Sequence, residues 1–212
     1  MTYTMQQKLT TEFIGTFFLS LTVCTAAVYG SAGDYAPFAI ASTLMVMIYA
    51  GGYISGAHYN PAVTVSIYLR GACDKDDVLP YIASQVIAAV SAALIVERLL
   101  FPGEPSPEIF ELGTEAVVAE LLFTFALVYV ILNVATTEST TGNGYYGAAI
   151  ALVVLAGAIT VGSISLGSFN PAVTSALITS GKISLADSWI HFVPQFIGAI
   201  LATHIYKSTL TQ

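Results

Sequence analysis

Long apolar stretches separated by short polar segments dominate the hydropathy pattern of this chain. Six of them have about 18–23 residues each, enough for a helix to cross a hydrocarbon layer of about 30 Å. They cover residues 9–29, 38–55, 78–100, 116–135, 145–163 and 189–206. The segments between them contain Gly, Pro and acidic residues, which is typical of turns and loops. The pattern predicts an all-α membrane protein with six transmembrane helices.

Two shorter apolar segments, residues 61–70 and 171–180, are left over. With about ten residues each they form about 15 Å of helix, which is half of a bilayer. Asparagine, a good N-cap, and proline, well suited to the first helical position, open each segment. Gly71 and Gly181 follow them, and glycine just past a helix is a common stop signal. We therefore expect two half-helices besides the six spans.

The half-helices belong to an internal repeat, because Asn-Pro-Ala-Val-Thr at residues 60–64 returns at residues 170–174. We expect one transmembrane domain over residues 1–212, with a first repeat over 1–101 and a second over 113–212. Three spans in each repeat is an odd number, so the second repeat must enter the membrane from the opposite face. The two half-helices then meet near the midplane.

Composition narrows the class of protein further. Hydrophobic residues make up 56% and charged residues 9% of the chain, with a mean hydropathy of +0.78; soluble domains carry roughly 25% charged residues. The net charge of −7 and the lack of a basic cluster argue against nucleic-acid binding. Cys24 and Cys73 form neither a disulfide framework nor a metal set. No cofactor is expected.

The distribution of Lys and Arg predicts the orientation in the membrane. With both termini in the cytoplasm, four cationic residues are cytoplasmic and two are external, in agreement with the positive-inside rule. The cytoplasmic four are Lys8, Arg70, Lys75 and Lys207, and the external two are Arg98 and Lys182. We expect a plasma (inner) membrane protein.

The backbone before each asparagine must leave the helical path at membrane depth, which is tolerated where it is buried or lines a water-filled cavity. Its carbonyls are expected to form a ladder of acceptors for water. The carbonyl-bearing residues are Gly56, Ala57 and His58 in the first copy and Leu166, Gly167 and Ser168 in the second. Asn60 and Asn170 add amide donors. The two helix N-termini, each with about +0.5 charge, oppose cations and protons.

The paired motifs, residues Asn60, Pro61, Ala62 and Asn170, Pro171, Ala172, resemble the aquaporin (major intrinsic protein) family. The resemblance extends along nearly the whole chain. It implies passive flow of water or small neutral solutes across the lipid bilayer and a homotetramer with one pore in each subunit. It also implies that buried Glu12 and Glu120, in the first and fourth spans, brace the two loops.

One position departs from the family. Many members have Asn-Pro-Ala-Arg in the second motif, where the arginine lines the outer constriction, but this chain has Val173. The other constriction positions fall at Ile40, Ala158 and Gly167. This set predicts a wide, apolar constriction and a less selective pore, with glycerol, urea, ammonia and hydrogen peroxide as candidate solutes. Apolar constrictions can also exclude water, and the sequence leaves this question open.

Two other functions remain as alternatives. Secondary transporters also contain inverted repeats with broken helices, but they usually need an ionisable group at the midplane, and Glu12 and Glu120 have a structural use. A membrane-embedded enzyme would need clustered catalytic groups or metal ligands, which the sequence lacks, so no enzyme is predicted. His58 is interpreted either as a pH-sensitive pore residue or as a neutral histidine bonded within its loop.

Overall fold

The computed structural model describes residues 3–209, and these residues form eight α-helices and no β-strand. The six long helices are α1 (Met5–Thr22), α2 (Ala36–Ser55), α4 (Lys75–Ile95), α5 (Thr114–Ala135), α6 (Tyr146–Ser165) and α8 (Trp189–Thr209). The two short helices are α3 (Pro61–Arg70) and α7 (Pro171–Thr179). The predicted all-α fold with six long and two half-length helices is confirmed.

Two of the long helices continue as π-helix at their C-terminal ends. α1 extends through Val23–Val28 and α4 through Val96–Leu100. With these extensions, five segments are long and apolar enough to cross a membrane: Met5–Val28, Gly33–Ser55, Lys75–Leu100, Thr114–Ala135 and Tyr146–Ser165. α8 has 21 residues but is not among the five. It carries His191 and Gln195, both fully buried, on its inner side.

The surface of the helix bundle is apolar and part of its interior is polar. Large apolar side chains on the long helices are more than 40% exposed, including Ile14, Phe18, Ile87, Leu122, Leu152 and Ile159. Glu12, Gln85 and Glu120, in contrast, are completely buried. A water-soluble protein rarely exposes apolar patches on this scale. The distribution is that of an integral membrane protein whose outer surface faces lipid.

The half-helices begin where asparagine caps them. Asn60 has an extended backbone, and its Oδ1 accepts from the N–H groups of Ala62 at 2.9 Å and Val63 at 3.3 Å. Asn170 accepts from the N–H of Ala172 at 2.9 Å in the same way. α3 has the predicted bounds, whereas α7 ends one residue earlier than predicted, at Thr179.

Close helix packing surrounds the two half-helices. α1 packs on α4, α5 packs on α8, and α2 and α6 contact each other. Small residues permit the close approach: a Cβ on Gly198 of α8 would overlap the carbonyl oxygen of Leu121 in α5. Small residues at helix contacts are the usual means of bringing membrane helices together. This frame holds α3 and α7 inside the bundle.

Candidate functional site

The two asparagine loops meet at the centre of the bundle and are joined by reciprocal hydrogen bonds. The Nδ2 group of Asn60 donates to the carbonyl oxygen of Phe169 at 2.9 Å. The Nδ2 group of Asn170 donates to the carbonyl oxygen of Tyr59 at 2.9 Å. An amide nitrogen carries two N–H bonds, so each side chain retains a second N–H. Both asparagines line the same cavity.

Left-handed backbone conformations shape these loops. Ala57, Tyr59, Leu166 and Phe169 have φ angles of 52°, 49°, 64° and 50°. Such conformations cost about 1–3 kcal/mol in a non-glycine residue and persist only where the surroundings hold them. Around Tyr59, the ring fills the space that a Cβ on Gly15 would occupy, and its hydroxyl donates to the Met47 carbonyl at 2.9 Å. Its loop is therefore clamped between α1 and α2.

A fully buried carboxylate holds the first loop. The Oε1 atom of Glu12 accepts from the Ser55 hydroxyl at 2.6 Å and from the His58 N–H at 2.9 Å. Its Oε2 atom accepts from the Tyr59 N–H at 2.7 Å and from the Gln85 amide at 2.8 Å. Four donors to one carboxylate offset the cost of burying its charge. All of its hydrogen bonds run to the loop, to its flanking serine or to α4.

The second loop has the same arrangement around Glu120. Oε1 accepts from the Ser165 hydroxyl at 2.8 Å and from the Ser168 N–H at 3.0 Å. Oε2 accepts from the Phe169 N–H at 2.7 Å and from the Gln195 amide at 2.8 Å. Each carboxylate thus fixes the two backbone N–H groups just before its asparagine.

Sequence reasoning missed the side chains around these carboxylates: a serine and a glutamine that donate to each carboxylate, and a threonine that accepts from the glutamine. They are Ser55, Thr64 and Gln85 in the first half and Ser165, Thr174 and Gln195 in the second. Every pair is 110 positions apart, the same separation as the two asparagines. A search for identical polar residues at this separation finds them. The glutamates are 108 positions apart, so an alignment of the two repeats needs a gap of two residues to match them.

A single cavity of about 1210 Å³ runs past both loops. The residues predicted for the constriction, Ile40, Ala158, Gly167 and Val173, line it, together with Gly56, Ala57, His58, Leu166 and Ser168. Pro61, Ala62, Pro171 and Ala172 are buried at the helix starts and are not among the described residues that line it. Glu12 and Glu120 are likewise absent from that lining.

The residues predicted for the constriction have apolar side chains or, at Gly167, no side chain. Gly167 has a φ of 61° and lies directly against Ala158. Val173 is 4% exposed, and its side chain belongs to the same apolar cluster as Val154 and Leu177. These residues can offer the wall hydrocarbon and backbone carbonyl groups. None of them has a charged side chain.

His58 and its counterpart Ser168 differ in chemistry. The Nδ1 atom of His58 lies 3.2 Å from the Thr64 hydroxyl, and its ring contacts Tyr81 edge to face at 5.2 Å. The Ser168 hydroxyl donates to the Asn170 carbonyl at 3.0 Å and lies 2.8 Å from the Thr174 hydroxyl. The two halves of the cavity therefore have different polar groups at equivalent places.

Charged residues line the cavity in two groups, and the predicted topology places the two groups on opposite faces of the membrane. In the first group, at what we call the Lys8 mouth, Lys8 forms an ion pair with Asp77 at 2.6 Å, and Asp74 also lines the cavity. In the second, at the Lys182 mouth, Lys182 lines the cavity. The described part of the chain contains no group of three or more side chains that could hold a metal ion.

Comparisons with known proteins agree on one family. The family model described as "Major intrinsic protein" matches residues 1–159 and 145–212. Aquaporin Z of Photorhabdus laumondii is 32% identical over 228 residues, covering 96% of this chain and 97% of that protein. Aquaporin NIP1-4 of Oryza sativa is 34% identical over 218 residues, covering 98% and 78%. The X-ray structure of the aquaglyceroporin from Plasmodium falciparum superimposes with a TM-score of 0.73 at 22% identity, covering 98% and 97%.

Proposed function

The chain belongs to the major intrinsic protein family, and we propose that it forms a passive transmembrane channel for water and small neutral solutes. Relatives named aquaporins cover nearly the whole chain, and members of this family are channels rather than enzymes. The apolar outer surface makes the chain an integral membrane protein. The alternative of a membrane-embedded enzyme is therefore rejected.

One observation carries the proposal: Asn60 and Asn170 line a single cavity whose lining also includes Lys8 and Lys182. The hydrogen bond from each amide to the opposite loop fixes its direction. Water that passes the centre can accept from the remaining N–H groups and donate to the loop carbonyls. The N-termini of α3 and α7 add partial positive charge there. Such a centre admits neutral molecules and opposes cations and protons.

The proposed solutes follow from the constriction. Ile40, Ala158, Gly167 and Val173 supply hydrocarbon and carbonyl groups, and none of these side chains can donate a hydrogen bond. We propose that this wide, apolar segment passes small neutral solutes besides water, with glycerol, urea, ammonia and hydrogen peroxide as candidates.

A passive mechanism is favoured over a coupled transporter. A proton- or sodium-coupled carrier usually needs an ionisable or ion-coordinating group at the midplane of the membrane. Glu12 and Glu120 are fully buried, and each already accepts four hydrogen bonds from protein groups. They support the loops, and the proposal assigns them no proton or ion to carry.

Topology and assembly are part of the same proposal. The equivalent hydrogen bonds to Glu12 and Glu120, whose donor residues are 110 positions apart, support two repeats, over residues 1–101 and 113–212. By the positive-inside rule both termini are cytoplasmic, in a plasma (inner) membrane. A homotetramer with one pore in each subunit is proposed from the family resemblance.

Stopped-flow light scattering on proteoliposomes tests the channel proposal. We expect water and urea to cross faster than in empty liposomes, with a flux proportional to the gradient. Proton or sodium gradients should leave the urea flux unchanged. Saturation of the flux at moderate urea concentration, or its dependence on an ion gradient, would establish a carrier instead. A flux equal to that of empty liposomes would reject both.

A further inference from the structure

Among the described residues, four with charged side chains line the cavity. Three lie at one mouth and one at the other. Lys8, Asp74 and Asp77 lie at the Lys8 mouth. The ion pair between Lys8 and Asp77 neutralises both groups, which leaves the charge of Asp74. Lys182 is the charged residue of the opposite mouth. Among the lining residues, the net charge at the Lys8 mouth is therefore negative and that at the Lys182 mouth is positive.

The position of Lys182 is fixed by three hydrogen bonds. Its backbone N–H donates to the Leu177 carbonyl at 2.9 Å, which ties it to the end of α7. Its carbonyl accepts from the Phe110 N–H at 2.9 Å, and its Nζ donates to the Glu108 carbonyl at 3.0 Å. The loop before α5 therefore holds both the backbone and the ammonium group. The charge stays at the rim of the cavity.

Within residues 3–209, no carboxylate forms an ion pair with this ammonium group. The only ion pair within residues 3–209 is that between Lys8 and Asp77. The Nζ bond of Lys182 goes to the backbone carbonyl of Glu108, and that residue is not among those that line the cavity. A unit charge beside a narrow, low-dielectric opening raises the local concentration of anions and lowers that of cations.

The residues proposed for the constriction cannot discriminate between cations and anions by charge. Val173 stands there without a charge, and Ile40, Ala158 and Gly167 are also uncharged. An ion that arrives from this side meets Lys182 before any other charged side chain of the wall. We propose, on the basis of the proposed channel function, that Lys182 determines charge selectivity at this mouth: it disfavours cations relative to anions of the same size and shape.

Urea, guanidinium and nitrate make a direct test, because all three are small planar species with three groups around a central atom. They differ in charge, and nitrate also lacks the N–H donors of the other two, so the change of each ratio between variants is compared and not its absolute value. Uptake of each is measured by stopped flow into proteoliposomes with wild-type protein and with the Lys182→Gln, Lys182→Glu and Lys182→Arg variants. Each ion flux is divided by the urea flux of the same liposomes, so that differences in protein amount or folding cancel.

We expect Lys182→Glu to raise the guanidinium-to-nitrate flux ratio about threefold to tenfold at low salt, because the sign of one charge near the passage is reversed. Lys182→Gln should give a smaller rise, and Lys182→Arg should retain the wild-type ratio. At about 1 M salt, where the screening length is about 3 Å, the differences should nearly vanish.

Arg98→Gln is the matched control, since Arg98 is exposed, does not line the cavity, and is placed on the same face as Lys182 by the predicted topology. It should leave the ratio unchanged. An unchanged ratio in Lys182→Glu, or an equal change in Arg98→Gln, would overturn the proposal. If wild-type liposomes conduct no urea, the channel proposal fails. If urea flux is normal but the ratio does not move, or if neither ion crosses faster than in empty liposomes in wild type and in Lys182→Glu, only the role of Lys182 is rejected.

Discussion

Gly167 lies so close to Ala158 that a Cβ added to Gly167 would be 3.2 Å from the Cα atom of Ala158. The neighbouring atom belongs to the backbone of α6 and cannot rotate away. Gly167 also has a φ of 61°, a left-handed conformation that side chains disfavour. The close approach and the left-handed backbone both occur at a residue that we propose to form the constriction.

Gly167→Ala should therefore destabilise the protein by about 1–2 kcal/mol through its backbone conformation and lower the urea permeability as well. Gly181→Ala is the matched control, because Gly181 has a φ of 74° but nothing within 4 Å of an added Cβ. Thermal unfolding in detergent and stopped-flow urea uptake separate the two effects. Equal urea permeability in both variants would contradict the placement of Gly167 at the narrow part of the passage.

Val173→Arg should narrow the range of solutes. The new guanidinium would occupy part of the cavity and donate hydrogen bonds where the wall is now apolar. We expect urea and glycerol permeability to fall by about tenfold while water permeability is largely retained, because pore diameter and hydrogen-bond donors set selectivity in such channels. Val173→Leu adds bulk without charge and serves as the control. A solute profile that does not change would show that Val173 lies outside the constriction.

Glu120→Gln should destabilise the second loop strongly. The glutamine side chain replaces one carboxylate oxygen with an NH₂ group, which would face N–H donors instead of accepting from them. Hydrogen bonds to a charged group contribute about 1.5–3 kcal/mol each, so we expect a loss of about 3 kcal/mol in unfolding free energy and a lower water flux. Glu115→Gln, at an exposed position on the same helix, should have little effect. Similar melting curves for Glu120→Gln and Glu115→Gln would contradict a stabilising role of the Glu120 carboxylate.

The Cys73 thiol should react slowly with maleimides near neutral pH. Burial, together with the nearby carboxylates of Asp77 and Asp74, raises the pKa of this thiol to about 11. Since the thiolate is the nucleophile, the alkylation rate should increase about tenfold per pH unit up to that pKa. Asp77→Asn should increase the rate at a given pH, as one negative charge is removed. Mass spectrometry of the Cys24→Ala variant measures the alkylation rate of Cys73. A rate that stops increasing near pH 8.5 would show that the pKa of this thiol is not raised.

Local signals in the sequence predicted the half-helices well. α3 has the predicted bounds because Asn60, Pro61 and Gly71 act through their own backbone and nearest neighbours. A local signal was overlooked at the N-terminus, where α1 begins at Met5 and not at residue 9. Thr4 and Gln7 form a reciprocal capping box there, which Thr at the N-cap and Gln three positions later could have indicated.

The sequence by itself determined the membrane class, the number of helices, the duplicated motif and the family. Hydropathy, helix caps and motifs each depend on residues that are close together along the chain. Only the tertiary structure decided that Asn60 binds the Phe169 carbonyl, that Gln195 shares the carboxylate of Glu120, and that Lys182 stands uncompensated at one mouth. These relationships join groups far apart along the chain. They depend on how closely packed helices bring their faces together, which no local pattern specifies.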